Sequence, residues 1–356
     1  MEVSMNIYNE DGWLDYRAIL SAGVPFNFIT GARGTGKTYG GLSKGIDRYQ
    51  DGKGRFILLR RTMAEAELLW RNEQTNPFYQ LNEDKGWNYG VVKKTKYTAD
   101  IVRRVAGPDG QLVPDGEPVG MVLALSTVAN LRGFSAGDVN YIFYDEFIPE
   151  PHVRPIRDEH LAFLNMYETI NRNRELRGEP PVLVVCASNS NRLDNPLYSG
   201  LGLVDLVDRM KQRSQTVSVN RERGVQIVNM ERSPISDAKR YTALYRMAGS
   251  GAFSDMALDN KYIGEGDRSL IQSRPLREYT PVCNVRDITV YKHKTGSDLY
   301  IIHRDAPLGG LPTFLNTSAD TVRFRRQYGW IWLWYLQRRI FFDRRSSELV
   351  LTSVFK

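Results

Sequence analysis

A phosphate-binding loop is the first chemical feature of the sequence, because residues 31–38 match the pattern GxxxxGK[ST]. The eight residues of this loop are Gly31, Ala32, Arg33, Gly34, Thr35, Gly36, Lys37 and Thr38. Glycines let the backbone curl so that its N–H groups point at phosphate oxygens, and the following helix adds a favourable dipole. We expect Lys37 to reach the β- and γ-phosphates and the Thr38 hydroxyl to ligate Mg²⁺. The loop therefore predicts binding of ATP with Mg²⁺.

A pair of acids, Asp145 and Glu146, directly follows the apolar segment 139–144. On its own, such a pair usually marks only the point where a buried strand meets solvent. Downstream of a phosphate loop, however, it favours ATP hydrolysis. Asp145 would then hold Mg²⁺ through water, and Glu146 would orient and deprotonate the attacking water.

A polar tip follows the apolar segment 182–187, where the sequence continues with Ser188, Asn189 and further turn-forming residues. A polar side chain at this position could sense the γ-phosphate, and Asn189 is a better candidate for this role than Ser188. The alternative is a plain turn, since these residue types favour turns.

Several arginines could complete the site. Arg172 and Arg174 follow a predicted helix, and either could act as an arginine finger supplied to a neighbouring subunit. The alternative is that they only offset the dipole at the end of that helix. Arg132 is a weaker candidate, whereas Arg60 and Arg61 could contact phosphate or pair with nearby acids.

The elements that must position these residues alternate between strands and helices. Apolar runs predict strands at 24–30, 55–60, 139–144, 182–186 and 225–230. Helices are predicted at 38–49, 63–71 and 159–172. This alternation predicts an α/β fold with a mostly parallel sheet and helices on both faces, in which ligands bind at the carboxyl ends of the strands. Residues 88–105 and 119–126 predict half-exposed strands joined by a loop at 106–118.

The chain is predicted to contain three regions. Residues 1–232 form the ATPase domain, 233–264 a helical linker, and 265–356 a small α+β domain that opens with a hairpin at 288–292 and 299–303. This last region holds 15 Lys/Arg against 9 Asp/Glu, and its net charge of +6 is most of the +7 of the whole chain. Such basicity predicts a polyanionic partner.

Composition also excludes several classes of protein. No apolar run approaches the length needed to span a bilayer, so no membrane association is expected. The two cysteines, Cys186 and Cys283, have no CxxC spacing, and the four histidines show no metal-ligand spacing. We therefore expect neither a disulfide framework nor a structural metal site.

In combination, these motifs resemble the viral genome-packaging ATPases. The phosphate loop is followed by a strand that ends in Arg60-Arg61-Thr62, and a Leu-Arg-Gly at 131–133 precedes Tyr-Ile-Phe-Tyr-Asp-Glu-Phe at 141–147. A further strand ends in Ala-Ser-Asn at 187–189. The pattern is similar to the large-terminase-like branch of the additional-strand, catalytic-glutamate P-loop enzymes. The modest length and the run Asp-Glu-Phe-Ile-Pro-Glu at 145–150 bring it closest to the DNA encapsidation ATPases of phi29-like phages.

This resemblance implies an ATP-driven motor that translocates double-stranded viral DNA into a preformed capsid. It implies a homo-oligomeric ring, commonly a pentamer, that sits on the capsid portal (connector). Such a motor works in the host cell cytoplasm, transiently on the procapsid, and some relatives bind a structural packaging RNA. The resemblance also implies an RNase H-like C-terminal domain, which lacks nuclease activity in phi29-like members.

Two alternatives remain. One is a terminase large subunit with an active nuclease, which needs carboxylates within the first core strand for a two-metal site. The segment 288–292 has basic and neutral residues instead, and Asp287, Asp298 and Asp305 lie only in turns and at strand ends, so we expect no nuclease activity. The other is a nucleotide-gated binding module with little turnover, which Glu146 disfavours because a switch has little use for a base.

Other features of the C-terminal region allow two interpretations each. The basic pairs at 325–326, 338–339 and 344–345 suit contacts with a nucleic-acid backbone or a portal, or else form a solvated positive face. The aromatic stripe at 330–335 predicts core packing in preference to base stacking.

Overall fold

A computed structural model of the chain describes residues 6–131, 136–150, 153, 156–230, 233–249, 258 and 268–355. The chain folds into two compact units. The first comprises Met1–Leu201 and Met210–Ile263, and the second comprises Gly202–Arg209 and Gly264–Lys356. No helix among the described residues combines the length and the apolar character that crossing a membrane requires.

A large sheet forms the centre of the first unit. In chain order its described strands are β1 (Phe26–Gly31), β2 (Arg55–Arg60), β3 (Tyr89–Lys93), β4 (Ala99–Ala106), β5 (Leu112–Ala124), β6 (Val139–Asp145), β7 (Leu183–Ser188), β8 (Val217–Asn220) and β9 (Val225–Met230). Across the sheet the order is β3-β4-β5-β2-β6-β7-β1-β9-β8. The run from β5 to β9 is parallel, whereas β3, β4 and β8 pair antiparallel at the two edges. The predicted mixed α/β fold is confirmed.

Helices pack on both faces of this sheet. In chain order the described helices up to residue 248 are α1 (Tyr16–Leu20), α2 (Lys37–Gln50), α3 (Met63–Leu68), α4 (Tyr79–Lys85), α5 (Glu159–Asn171), α6 (Pro196–Gly200), α7 (Val204–Gln212), α8 (Pro234–Lys239) and α9 (Ala243–Ala248). Most of α7 belongs to the second unit. The ring of Phe143 lies against Gly41 of α2, where a β-carbon would overlap it. The next ring on β6, Tyr144, stacks on Phe163 of α5 with centroids 6.1 Å apart. Since successive strand residues point to opposite faces, α2 and α5 cover different faces.

The predicted loop at 106–118 is wrong in its second half. β5 already begins at Leu112, and its first residues pair antiparallel with the end of β4, in the register Ala106↔Leu112 and Arg103↔Asp115. Side chains 112–117 are exposed, so no buried face imposes an apolar alternation on this part of the sequence. Gly, Pro and Asp in an exposed hairpin arm therefore looked like a loop.

The second unit contains a smaller sheet. Its described strands are β10 (Tyr279–Val285), β11 (Ile288–His293), β12 (Leu299–His303), β13 (Thr313–Phe314) and β14 (Ile340–Phe342), in the order β13-β10-β11-β12-β14. The predicted hairpin is confirmed, with Lys292 opposite Leu299. β13 and β14 pair parallel at the edges.

Two further described helices of the second unit are α10 (Ser318–Leu336) and α11 (Arg345–Phe355). Trp330, Trp334 and Tyr335 of α10 pack against the apolar cluster of this unit. This contact confirms core packing as the role of those three rings.

The predicted linker at 233–264 is described only in part. Its first residues form α8 and α9, and residues 250–257 and 259–264 lie outside the described residues. Arg132, the weaker finger candidate, also lies outside them.

Candidate active site

The phosphate loop connects β1 to α2 and follows the predicted geometry. Gly34 has φ +68° and Gly36 has φ +91°, in the left-handed region that glycine adopts without strain. α2 begins at Lys37, so its first N–H groups, which have no partner within the helix, lie at the loop. Gly41 and Gly45 let α2 approach the rings of Phe143 and Phe56 closely, which holds the start of the helix against the strand ends.

The side chain of Lys37 is buried against the backbone of the loop. Its Nζ donates hydrogen bonds to the carbonyl oxygens of Gly31 (3.0 Å) and Ala32 (2.6 Å). Burial lowers the pKa of Lys37 to about 8, an effect that the nearby carboxylates of Glu146 and Asp145 oppose. The side chain is thus already desolvated at the place where a phosphate would bind.

Asp145 lies at the end of β6, beside the phosphate loop. Its Oδ1 accepts a hydrogen bond from the Thr38 hydroxyl at 3.0 Å, and its Oδ2 is 2.5 Å from Nη1 of Arg60. Arg60 lies beside Asp145 because it ends β2, which pairs with β6 in the sheet. Burial raises the pKa of Asp145, while Arg60 and Thr38 act in the opposite direction.

Glu146 is held by residues at the end of β7, the strand next to β6. Its carboxylate accepts hydrogen bonds from Ser188 Oγ and from the backbone N–H of Asn189, both at 3.2 Å, and from the side-chain amide of Asn189. Its φ of +57° turns the chain sharply after β6. Burial, followed by the adjacent Asp145, raises the pKa of Glu146. A carboxylate with a raised pKa is suited to accept a proton.

The structure brings the loop, Thr38, Asp145, Glu146 and Asn189 to one edge of the sheet. A cleft of about 1110 Å³ lies there, which Lys37, Thr38 and Asn189 line together with aromatic residues of the N-terminal segment. One of these, Tyr16, donates its hydroxyl to the Lys37 carbonyl at 2.6 Å. The N-terminal segment therefore supports the loop.

Arg172 and Arg174 lie at the opposite edge of the sheet. Arg174 Nη2 donates to the carbonyl of Gly137, just before β6, at 2.7 Å. Asp145 is at the other end of this seven-residue strand, a span of roughly 20 Å. Arg174 is only 7% exposed, so its guanidinium stabilises its own subunit and is not presented to a neighbouring one. Arg172 is exposed and remains a candidate.

Sequence analysis missed one residue of the site, Lys239 on α8. Its Nζ donates to the carbonyl of Arg33 at 2.9 Å, and it lines the same cleft. No motif marks this lysine, because it reaches the loop only through the fold. For Arg60, in contrast, the sequence allowed either contact with phosphate or pairing with a nearby acid, and the structure shows it paired with Asp145.

The acids of the second unit have other partners. Asp298 accepts the hydroxyl of Tyr279 at 2.6 Å, and Asp287 and Asp305 flank His303 at 3.6 and 3.4 Å. Within the part of the chain that the structure describes, no group of three His, Cys, Asp or Glu side chains could hold a metal ion.

One of the predicted surface arginines in the second unit is not at the surface. Arg345 is 5% exposed and pairs with Glu348, which also accepts the Tyr335 hydroxyl at 2.8 Å. Its predicted contact with nucleic acid or portal is therefore wrong.

The fold places the chain in the class of mixed α/β proteins with a glycine-rich loop between the first strand of the sheet and the helix that follows it. Within that class it belongs to the Podovirus DNA encapsidation protein (Gp16) family, whose model matches residues 7–286. The resemblance inferred from the motifs is confirmed.

Relatives of known role agree with this assignment. The chain is 27% identical over 266 residues to the DNA packaging proteins of Bacillus phages PZA and phi29, which covers 72% of this chain. The match spans 66% of the length of those two relatives, slightly less than two thirds.

Solved structures show the same fold. The chain is similar to the Phi-28 gp11 DNA packaging motor, with a TM-score of 0.66 at 18% identity, over 98% of this chain and 97% of the other. It is also similar to the bacteriophage Phi-29 viral genome packaging motor assembly, with a TM-score of 0.64 at 20% identity, over 98% and 99%. These matches cover both units.

Proposed function

We propose that this protein is an ATPase that drives double-stranded viral DNA into a preformed capsid. The observation that carries the proposal is the convergence of Lys37, Thr38, Asp145 and Glu146 at one edge of the sheet, with Thr38 Oγ1 and Asp145 Oδ1 3.0 Å apart. Membership of the DNA encapsidation family supplies the substrate.

The residues present fit ATP with Mg²⁺. A hydroxyl and a carboxylate side by side are the hard oxygen donors that Mg²⁺ prefers, directly or through water. When bound, the ion would neutralise charge on the β- and γ-phosphates. Lys37 would exchange its loop carbonyls for phosphate oxygens, and the loop N–H groups would hold the remaining charge.

Glu146 would take the proton of the attacking water. Its raised pKa favours proton acceptance, and Ser188 and Asn189 fix its carboxylate in orientation. Asn189 would thereby link the state of the γ-phosphate to β7. Breaking the bond between the β- and γ-phosphates would release ADP and inorganic phosphate.

The strand order supports the additional-strand, catalytic-glutamate type of P-loop enzyme. β7 stands between β1, which carries the loop, and β6, which carries the two acids. This order leaves room between loop and base for the Asn189 side chain.

The wider assembly follows from the resemblance. We infer a homo-oligomeric ring, commonly of five subunits, on the capsid portal in the host cytoplasm, with Arg172 offered to the neighbouring site. A packaging RNA would be a further partner. The regions 1–232, 233–264 and 265–356 would serve as ATPase domain, linker and basic RNase H-like domain. The alternative of an active nuclease is not supported by Asp287, Asp298 and Asp305, which have other partners.

The test is ATP turnover per subunit, measured with and without double-stranded DNA across protein concentrations. Stimulation by DNA and a steep rise with concentration are expected, since a neighbour would complete each site. A rate that responds to neither would contradict the motor.

A further inference from the structure

A second lysine sits over the phosphate loop. Lys239, the last residue of α8, lies far along the chain from the loop, yet its Nζ donates to the carbonyl of Arg33 at 2.9 Å. A β-carbon added to Gly34 would collide with this ammonium group, so the contact is close on two successive loop residues. Glycine at position 34 leaves room for this ammonium group without displacing the lysine side chain.

Two cationic side chains lie at this part of the loop, Lys239 and Arg33. Arg33 is paired outward with Glu150 at 2.6 Å, whereas Lys239 points to a backbone carbonyl. A carbonyl neutralises only part of an ammonium charge, so an anion in the cleft would be a stronger partner than the present one.

We propose that Lys239 contacts the terminal phosphate of the bound nucleotide. This inference rests on the proposed function, because it uses the same nucleotide site. Lys239 lines the same cleft as Lys37 and Thr38, and Lys37 is the residue expected to reach the β- and γ-phosphates. With ATP bound, its Nζ would leave the Arg33 carbonyl for a γ-phosphate oxygen. After phosphate leaves, it would return.

This contact would connect the nucleotide to the linker. Lys239 ends α8, and α9 follows after a few residues, within the region predicted to join the two domains. The terminal phosphate would hold α8 against the loop more strongly than the Arg33 carbonyl does, and only while ATP is intact. Hydrolysis would then weaken the hold on the linker.

The test compares ATP and ADP binding to the full chain by calorimetry in the presence of Mg²⁺. Lys239→Ala is expected to weaken ATP binding by roughly ten- to a hundredfold, the loss of one hydrogen bond to a charged group, and ADP binding by no more than about threefold. Lys239→Arg should retain most of the ATP affinity. Lys53→Ala, which removes an exposed lysine outside the cleft, is the matched control and should bind both nucleotides normally.

A second measurement separates phosphate contact from simple packing. Hydrogen exchange of residues 234–248 should slow with ATP in the wild type and not in Lys239→Ala. Wild-type ATP affinity in Lys239→Ala, or an equal loss for ATP and ADP, would overturn the inference.

Lys37→Ala distinguishes this failure from failure of the proposed function. If Lys37→Ala abolishes ATP binding while Lys239→Ala has no effect, only the Lys239 inference is wrong. If Lys37→Ala binds ATP like the wild type, the nucleotide site itself is wrongly assigned.

Discussion

The Thr38 hydroxyl lies 3.0 Å from Oδ1 of Asp145, although 107 positions separate the two residues in the chain. One oxygen belongs to the first turn of α2 and the other to the last residue of β6. This pairing joins the phosphate loop to the acidic strand end, and the Mg²⁺ assignment depends on it.

Thr38→Val keeps the shape of the side chain and removes the hydroxyl. We expect the Mg²⁺ concentration needed for half-maximal ATP turnover to rise by on the order of tenfold or more. Thr38→Ser, which keeps the hydroxyl, should restore the wild-type dependence. The check is a Mg²⁺ titration of the rate at fixed ATP. An unchanged midpoint in Thr38→Val would show that the hydroxyl does not serve the ion.

Glu146→Gln removes the proposed base with little change in volume. ATP binding should persist, because Lys37 and the loop are untouched. Turnover should fall by roughly 10²–10⁴-fold, the usual contribution of a general base. Glu83→Gln makes the same chemical change at an exposed position on α4 and should leave the rate unaltered. Equal rates for Glu146→Gln and the wild type would exclude Glu146 as the base.

Asn189→Ala tests the support of Glu146 through pH. In the wild type, the side-chain amide of Asn189 donates to the Glu146 carboxylate and favours its ionised form. Removing the amide should therefore raise the already raised pKa of Glu146 further. A base works only when ionised, so the acidic limb of the rate profile should move to higher pH. The profile of kcat between pH 5 and 9 measures this shift. A limb at the wild-type position would mean that the amide does not set the basicity of Glu146.

Lys37→Met is expected to stabilise the nucleotide-free protein. The pKa of Lys37 is about 8 in the folded state against the ordinary 10.5, so its protonated form disfavours folding. This cost is fully present below about pH 8 and disappears as the pH rises towards 10.5. Thermal unfolding at pH 7 should show a higher Tm for Lys37→Met, with no further rise on adding ATP.

The control for that comparison is Lys53→Met, since Lys53 is exposed. It should leave both the Tm and the stabilisation by ATP unchanged. A lower Tm for Lys37→Met than for the wild type would contradict the assigned direction of the pKa shift.

Arg172 and Arg174 should respond differently to alanine. Arg174→Ala leaves the Gly137 carbonyl without its charged partner and should lower the free energy of unfolding by about 1.5–3 kcal/mol. Arg172→Ala should leave stability within about 0.5 kcal/mol, because its side chain is exposed. Denaturant unfolding of the two variants makes the comparison.

Mixed rings then test Arg172 as a finger. Arg172→Ala alone should turn over poorly, and so should Glu146→Gln. In a mixture of the two variants, some Arg172→Ala subunits, which keep Glu146, will lie beside Glu146→Gln subunits, which keep Arg172. Part of the activity should therefore return. A mixture that stays inactive would rule out a role in trans for Arg172.

The sequence predicted the parts of the fold that are locally encoded. Strands β2 and β9 have the predicted bounds, because both are rich in the apolar residues that mark buried strands. The resemblance of the loop and of Asp145-Glu146 to known motifs predicted that these two segments meet, and Thr38 does contact Asp145. The hairpin formed by the end of β4 and the start of β5 has no buried face. Its sequence therefore has no apolar alternation that would have predicted the pairing.

Side-chain partners were predictable only where neighbours in sequence impose them. Lys239 contacts Arg33 although 206 positions separate the two residues in the chain. No local sequence pattern marks such a contact. Arg345 looked like one of several basic pairs, yet α11 turns it inward to Glu348. The charge of Arg345 did not reveal that its side chain is buried, because an arginine that is paired with a carboxylate can lie in the interior.

The placement of β1 in the sheet constrains how the chain can be made. β1 pairs only with β7 and β9 among the described strands, and both are encoded far downstream. At the usual speed of a ribosome, the first strand must wait on the order of 10 s, unpaired on both edges, before residue 188 has been synthesised. During that interval its apolar side chains are open to aggregation, and assembly of the sheet around them is completed late in translation.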